Sequence, residues 1–202
     1  MSCTNKDLFT QEKYTSKDAK ITSVIVDVRD RDIEVRLSQD NQIHINYFES
    51  EKEFYDISVS DGNVLTMSAL TNKKWKDYIG KSPVVDVRKI SIEIPNSLLT
   101  SLVLSTTNKD MILSELTVLD DIILSSNGGN ITFGKLDVGS MLKITAKNGN
   151  IKGAIAGGYD DFSIDSKIKK GKNNLPALKK DGDKKLEVAN NNGNIEIEFI
   201  RN

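Results

Sequence analysis

Apolar and polar residues alternate along most of the chain with a period of two, the pattern of β-strands that bury one face. In the second half, pairs of apolar residues separated by one position recur at a regular interval. They are Leu102/Leu104, Ile122/Leu124, Leu142/Ile144, Phe162/Ile164 and Leu186/Val188. The first four pairs are evenly spaced and the last comes four positions late, so the interval predicts a repeated strand unit.

Turns rich in Asn and Gly follow several of these pairs, as in "SSNGGN", "AKNGN" and "NNNGN". Ile131, Ile151 and Ile195 each come seven residues after the last member of the preceding pair. Because Asn and Gly adopt the positive φ that tight turns need, the pattern predicts a strand, a turn and a second strand in each unit. The glycines that we expect at bends of the chain are Gly134, Gly139, Gly149, Gly153, Gly157 and Gly158.

The first half of the chain carries the same pattern less regularly. In "SVIVDVRDRDIEVRL", Ile33 follows Val26 by seven residues, and the charged "RDRD" stands in place of Asn-Gly. The stretches "QIHINYF", "FYDISVS", "VLTMSAL" and "VRKISIEIP" predict further strands, whereas "TNKKWKDYIGKSP" (71–83) predicts an exposed loop or a short helical turn. No linker divides these elements, so we expect one all-β domain over 21–202, preceded by a polar tail over 1–20 that could act as a tether.

Two all-β architectures fit these units. A fixed interval with the same alternation is typical of stacked coils, in which each unit lays its strands beside those of the next and the inward apolar residues form a continuous core. We therefore predict a short β-solenoid with coils of about 20 residues. A β-sandwich is the alternative.

The order of these stretches also resembles a known family. "ITSVIVDVRDRDIEV", "IHINYFESEKEFYDISVSDGNVLTM", "KKWKDYIG", "ISIEIP" and the repeated Asn-Gly-Ile units are similar to a bacterial β-strand-repeat domain of unknown function to which an adhesin role is attributed. The resemblance runs from about Ile21 to Phe199. It implies a right-handed β-solenoid-like fold, often behind an N-terminal membrane segment and so on or beyond the cell envelope. The family has no established catalytic residues, so the resemblance assigns none to this chain.

Composition and charge narrow the chemistry. The 202 residues include 28 Lys and Arg against 29 Asp and Glu, so the chain lacks the overall positive field that attracts nucleic acid, and we predict no nucleic-acid partner. Cys3 is the single cysteine, which excludes an internal disulfide or a cysteine-rich zinc site. His44 is the single histidine and reads as a surface residue of a strand, opposite Ile43 and Ile45. We predict no metal, cofactor or catalytic residue.

The start of the chain bears on location. No charged and then apolar leader precedes Cys3. One hypothesis is that "SC" remains from a lipoprotein cleavage site and that Cys3 is lipidated, in which case a lipid or a missing leader would be the means of membrane attachment. This hypothesis places the protein in the cell envelope or outside the cytoplasm. The alternative is a cytoplasmic protein with an incidental thiol.

Two segments are candidates for contacts with a ligand or partner. Between Ser166 and Lys185 there are eight lysines and two acids, and this segment could contact an anionic polymer or lipid head groups. The lysines that we select there are Lys169, Lys170, Lys179 and Lys180. Trp75 and Tyr78 lie in a lysine-rich loop and could contact a sugar or a protein. The alternatives are a solvated loop for the lysines and a cap on the core for the aromatic residues.

These features favour a non-enzymatic binding or scaffold module of the cell envelope, with a polymer or protein as its ligand. A carbohydrate-active enzyme is one alternative, but it would need carboxylates paired on one face. Asp160 and Asp161 are adjacent and would point to opposite faces, and the alternation of Glu49, Glu51 and Glu53 predicts a solvated edge. An envelope stress-signalling protein that acts through a partner is a further alternative.

Overall fold

The structure, a computed structural model, describes residues 8–17, 20–74, 85–96 and 99–201. Strands provide nearly all the regular structure of these ranges. The only helical segments within them are two 3-10 helices, at Val85–Arg88 and Tyr159–Asp161. The predicted all-β class is confirmed.

The strands of the described ranges form two mixed sheets of nine strands each. In sheet 1 the neighbouring strands are, in order, β1 (Thr10–Thr15), β4 (His44–Glu49), β7 (Lys89–Ile94), β3 (Asp32–Leu37), β9 (Met111–Leu113), β12 (Ile131–Val138), β14 (Ile151–Ala156) and β18 (Ile195–Ile200), and β10 (Leu116–Val118) also pairs with β12. In sheet 2 they are β16 (Leu178–Lys179), β15 (Phe162–Lys170), β17 (Lys184–Asn192), β13 (Met141–Asn148), β11 (Asp121–Ser126), β8 (Ser101–Thr106), β2 (Ser23–Asp27), β6 (Val64–Thr71) and β5 (Glu53–Val59).

The chain repeatedly passes from sheet 2 to sheet 1, as in β11 to β12 and β13 to β14. We call each strand pair that the chain forms in this way a pass. Each strand buries one face, so Ile122 and Leu124 in β11 are fully buried, whereas Asp121, Ile123 and Ser125 are more exposed. The buried apolar residues of both sheets belong to one cluster. The hydrophobic core therefore unites the two sheets and holds the strand ends and corners in place.

The middle of the chain follows the predicted interval. Ile122 lies beside Leu102 on one side and beside Leu142 on the other, in parallel pairing. In sheet 1, Ile131 pairs in the same way with Met111 and Ile151. Residues one interval apart in the sequence are therefore lateral neighbours in both sheets.

The pair Phe162/Ile164 keeps this interval in the sequence, but its predicted place beside Leu142/Ile144 is wrong. The neighbour of β13 is β17 and not β15, and Leu142 lies beside Leu186. Ile164 then pairs with Leu186 from the other side. Strand β17, which comes later in the sequence, therefore lies between β13 and β15 in sheet 2. Sequence spacing alone cannot predict this exchange, because both orders bury the same apolar faces.

The charged corner "RDRD" takes the place of an Asn-Gly turn, as its sequence predicts. Asp30 has φ of 52°, in the left-handed region that Asn and Asp tolerate better than most residues. Its carboxylate accepts hydrogen bonds from Thr107 Oγ1 at 3.1 Å and Asn108 Nδ2 at 2.8 Å. These hydrogen bonds join this corner to the neighbouring corner at Thr107 and Asn108.

A row of side-chain oxygens joins the corners of sheet 1 to one another. The backbone N–H of Asp110 donates to Asp32 Oδ1 at 3.0 Å, and that of Asn130 donates to Asp110 Oδ1 at 2.7 Å. Asn150 N donates to Asn130 Oδ1 at 2.9 Å, and Asn194 N to Asn150 Oδ1 at 2.8 Å. These Asp and Asn side chains satisfy backbone donors where the strands begin, which explains why the turns repeat them.

The glycines predicted at bends have two different roles. Gly149 is in a turn with φ of 109°, and a Cβ there would lie 2.1 Å from the carbonyl oxygen of Gly129. Gly134 lies inside β12 where the register with β14 shifts between Thr132 and Lys135, an irregularity of the kind that bends a strand, whereas Gly153 lies inside β14. A Cβ on Gly153 would lie 2.1 Å from the ring of Phe133, and glycine is needed there to admit that ring.

Part of the predicted tail over 1–20 is a strand. β1 pairs antiparallel with β4 and forms the edge of sheet 1, with Tyr14 opposite Ile45. In the described part of the chain, no helix is long and apolar enough to cross a membrane.

Candidate functional site

The predicted contact residues fall partly outside the described residues. Cys3, Trp75 and Tyr78 all lie there, and their predicted roles remain predictions. Lys169 and Lys170 end strand β15 and are exposed. Lys180 is also exposed.

Lys179 differs from the other predicted lysines because it fastens the backbone. Its Nζ donates to the carbonyl oxygens of Phe162 at 2.9 Å and Asp181 at 2.6 Å, and it lies 5.2 Å from the centre of the Tyr159 ring. Lys179 pairs with Ile164 of β15. Ile164 lies five residues before Lys169 in the same strand. Five residues of strand span roughly 16 Å, so the structure does not gather the predicted lysines into one cluster.

The histidine lies on the strand face that its alternation predicts, but only 13% of its side chain is exposed, so it is less of a surface residue than predicted. His44 opens β4 and is half-buried, while Ile43 and Ile45 beside it are buried. Its Nε2 is 3.1 Å from both carboxylate oxygens of Asp40, and its Nδ1 is 3.1 Å from Thr15 Oγ1. Across the described ranges, no three His, Cys, Asp or Glu side chains are grouped so that they could hold a metal ion.

A group of charged residues, of which Arg31 and Arg88 are buried, lies at the corner that precedes β3 and β7. There a cavity of about 480 Å³ opens between the ends of the two sheets. We call it the arginine pocket, and its charged lining residues are Arg29, Asp30, Arg31, Glu53, Lys73 and Arg88.

The strand register explains how two arginines reach the same cavity. Ile33 of β3 pairs with Ile90 of β7, and Arg31 and Arg88 stand two residues before them. Arg31 directly precedes β3, and Arg88 is the last residue of the 3-10 helix that leads into β7, so the paired starts of these strands bring both arginines to the same corner. Both are buried, with 3% and 9% of their surface exposed. Neighbouring strands therefore place two guanidinium groups side by side at the edge of the core.

Arg31 is held by partners on all three of its nitrogens. Its Nη2 donates to Glu53 Oε2 at 2.6 Å, and its Nε donates to the Tyr55 hydroxyl at 2.6 Å. Its Nη1 donates to the carbonyl oxygens of Arg29 at 3.4 Å and Asp30 at 3.2 Å. This guanidinium is a fixed structural element of the pocket.

Glu53 joins three cations. Besides Arg31, Lys73 Nζ lies 2.5 Å from Glu53 Oε1, and Arg88 Nη2 lies 3.5 Å from the same oxygen. Burial is the largest single influence on the Glu53 carboxyl and raises its pKa. The hydrogen bonds and charges of Lys73 and Arg31 together outweigh burial and hold the pKa below its ordinary value. Glu53 is therefore ionised at neutral pH.

Tyr55 contributes a neutral hydroxyl. Burial raises the pKa of this hydroxyl, and the charge and hydrogen bond of Arg31 oppose that change without reversing it. The Tyr55 ring packs edge-on against Tyr47 with 5.3 Å between ring centres. This contact fixes the ring that forms part of the pocket wall.

Arg88 is less well satisfied than Arg31. Its Nη1 donates to the carbonyl oxygen of Asp30 over a long 3.4 Å, and its Nη2 makes the 3.5 Å contact with Glu53. Its Nε is buried and has no hydrogen-bond partner in the described part of the chain. Buried donors are usually satisfied in folded proteins, so this one needs an explanation.

The apolar pattern of the sequence does not predict this pocket. The alternation predicts a solvated edge for Glu53, but only 13% of its side chain is exposed. A signal is present in the sequence, because Arg31 shares the parity of Ile33 and Val35. The alternation of apolar residues does not predict that Arg31 is buried, because an arginine next to a turn normally reaches solvent.

Comparison with known proteins assigns the fold to a family. The model of the toastrack DUF4097 domain matches residues 21–158. The chain belongs to the toastrack DUF4097 family. This confirms the resemblance found in the sequence. The matched range of this toastrack protein contains every charged residue of the arginine pocket, whereas the lysine-rich segment lies after it.

A solved structure shares the toastrack fold of this chain. A crystal structure of a candidate cell adhesion protein from Clostridium sporogenes superposes with a TM-score of 0.55 at 12% identity, covering 96% of this chain and 100% of that one. A candidate adhesin from Bacteroides fragilis has a TM-score of 0.41 at 12% identity, covering 96% of this chain and 98% of that one. No curated protein matches this toastrack chain.

Proposed function

We propose that this toastrack protein is a non-enzymatic binding module of the bacterial cell envelope, which holds a polymer or protein partner through the arginine pocket. The observation that carries the proposal is the pocket itself. It is a recess whose polar groups are fixed by buried ion pairs and by the ends of β3 and β7. Fixed polar groups in a concave site are what specific binding requires.

The protonation of the pocket supports binding rather than catalysis. An acid or base works best when its pKa is close to the working pH. The pKa of Glu53 is lowered and that of Tyr55 is raised, so both move away from neutrality. The guanidinium groups of Arg31 and Arg88 do not give up a proton in proteins. The pocket therefore offers charge and hydrogen bonds without a group ready to exchange protons.

The proposed envelope location is supported by the fold shared with the candidate cell adhesion protein of Clostridium sporogenes. We further propose that Cys3 is a lipid attachment site. A lipid there would tether the domain through the polar stretch before β1.

We infer that the repeated passes between the sheets form coils of a short right-handed β-solenoid. Parallel strands of one sheet joined by a crossover are right-handed in about 98% of cases. The passes from β8 to β11 and from β11 to β13 are connections of this kind, with the same offset from Leu102 to Ile122 as from Ile122 to Leu142. A stack of this kind gives the arginine pocket a rigid support.

A panel of envelope polymers tests the proposed function. The full chain is applied to immobilised peptidoglycan, teichoic acid, acidic polysaccharide and neutral glucan, and bound protein is measured. We expect saturable binding to at least one polymer with no release of reducing sugar. Reducing sugar released from any glycan would instead indicate the carbohydrate-active alternative and contradict the proposal, as would an absence of binding to the panel and to envelope protein extracts.

The exposed lysines are proposed as secondary contacts. Changing Lys169, Lys170 and Lys180 together to Glu should weaken binding to an anionic polymer of the panel severalfold, because the local charge is reversed. Lys179 is left unchanged, since it supports the backbone at Phe162. The measurement is the binding isotherm at low salt and at about 0.5 M salt, where screening should remove the difference. Equal isotherms at low salt would exclude these lysines from the binding surface.

A further inference from the structure

The arginine pocket has more positive than negative charge. Among the described residues, its lining contains four cationic side chains, Arg29, Arg31, Lys73 and Arg88, against the two carboxylates of Asp30 and Glu53, a formal excess of two positive charges. Glu53 is also shared unevenly among the cations around it. It is 2.6 Å from Arg31 and 2.5 Å from Lys73, but 3.5 Å from Arg88. Of the three cations that Glu53 joins, Arg88 thus has the weakest compensation.

The available donors of Arg88 are on one edge of its guanidinium group. Nε has no partner among the described residues, and Nη2 beside it has one long contact. The Nε and Nη2 edge of arginine is a planar fork that matches two oxygens of a carboxylate or phosphate. Arg31 cannot offer the same edge, since its Nε is bonded to Tyr55 and its Nη2 to Glu53.

We propose that the arginine pocket binds an oxyanion group of the partner, a carboxylate or a phosphate, through the Nε and Nη2 donors of Arg88. The proposal rests on the proposed function, because the envelope partner is what carries this group. Contacts with Glu53 and with the Asp30 carbonyl position Arg88. The cavity of about 480 Å³ is of a size that accepts a sugar ring bearing an acidic group. An oxyanion there would supply the buried Nε–H with the acceptor that the described residues do not provide.

Small probes test this inference without the polymer. The full chain, labelled with ¹⁵N-arginine, is titrated with glucuronate, with glucose 6-phosphate and with uncharged glucose, and the Nε–Hε signals are followed by NMR. We expect the Arg88 signal to move with at least one charged probe and to stay in place with glucose. Which charged probe moves it tells whether the group is a carboxylate or a phosphate.

Variants then measure how much Arg88 contributes. Arg88→Gln should weaken binding of the effective probe by about tenfold or more, because a charge-assisted pair of hydrogen bonds is lost. Arg88→Lys should also weaken it, since lysine keeps the charge without the planar fork. Arg201→Gln makes the same change at an exposed site after β18 and should leave the affinity unchanged.

Several results would overturn the inference. They are an unmoved Arg88 signal with both charged probes, an equal shift with glucose, or equal affinity in the parent and the Arg88→Gln protein. The NMR titration of the parent chain decides the matter even if Arg88→Gln does not fold. A negative result with these probes would not change the result of the polymer panel. The loss of the oxyanion site can therefore be distinguished from the loss of the binding function.

Discussion

Replacing Glu53 by Ala is expected to lower the free energy of unfolding by about 3–5 kcal/mol, the typical loss when one partner is removed from a buried ion pair. Glu53 is the carboxylate that joins Arg31, Lys73 and Arg88, and only 4% of the Arg31 side chain is exposed. Without Glu53, a buried guanidinium would keep its charge and lose its closest oxyanion. Chemical denaturation of the purified variant measures the loss.

An exposed ion pair provides the control for Glu53. Glu196 pairs with Lys152 at 3.2 Å, and more than half of each side chain is exposed. Glu196→Ala should cost about 0–1 kcal/mol, since solvent screens such pairs. Equal losses in the two variants would show that the charges of the arginine pocket do not support the fold.

The stabilising effect of Glu53 should also depend on pH in one direction. Its folded pKa is held below the ordinary 4.5, so as the pH falls below that value the unfolded chain takes up the proton first. The contribution is complete above the ordinary pKa and is lost as the pH falls through the folded pKa. The difference in stability between the parent and Glu53→Ala should therefore shrink in acid.

Gly149→Ala is expected to lower the free energy of unfolding by about 3 kcal/mol, from a strained left-handed backbone and a steric clash. Gly149 has φ of 109°, and an added Cβ would lie 2.1 Å from the carbonyl oxygen of Gly129. Gly193 repeats the arrangement, with its Cβ position 2.0 Å from the Gly149 oxygen. A side chain at Gly149 would push apart two neighbouring passes of the chain. Thermal and denaturant unfolding measure the loss.

Gly62→Ala is the matched control. The nearest atom to a Cβ at Gly62 is Ser60 Oγ at 3.7 Å, an ordinary contact distance. This change should be neutral or stabilise the fold by up to about 1 kcal/mol, because alanine restricts the unfolded chain. A loss below about 1 kcal/mol for Gly149→Ala would contradict the close approach of the corners.

The alternation of apolar residues predicts most of the strands, and the physical reason is simple. Ile122 and Leu124 must both be buried, and only a strand places residues two apart on the same face. The regular interval then predicts lateral neighbours such as Leu102 and Ile122. The interval does not predict the neighbour of Phe162, because the order of strands at the end of a sheet depends on which edge the chain reaches. The apolar pattern does not encode that choice.

The arginine pocket is harder to predict for a different reason. Arg31 and Arg88 precede strands of sheet 1, whereas Glu53 begins β5 of sheet 2. Their meeting depends on how the ends of the two sheets are brought together, which no local pattern reports. The lysine-rich segment is conspicuous in the sequence, yet the structure separates Lys179 from Lys169.

The pairing of β2 with β8 has a consequence for the order in which this protein folds. Val24 in β2 pairs with Leu102 in β8, and most of the first half of the chain lies between them. Leu102, Ile122 and Leu142 instead find one another across a single interval of the repeat. Closing a long loop has a greater entropic cost and slows folding. We therefore expect β2 to pair with β8 more slowly than the central strands pair with one another.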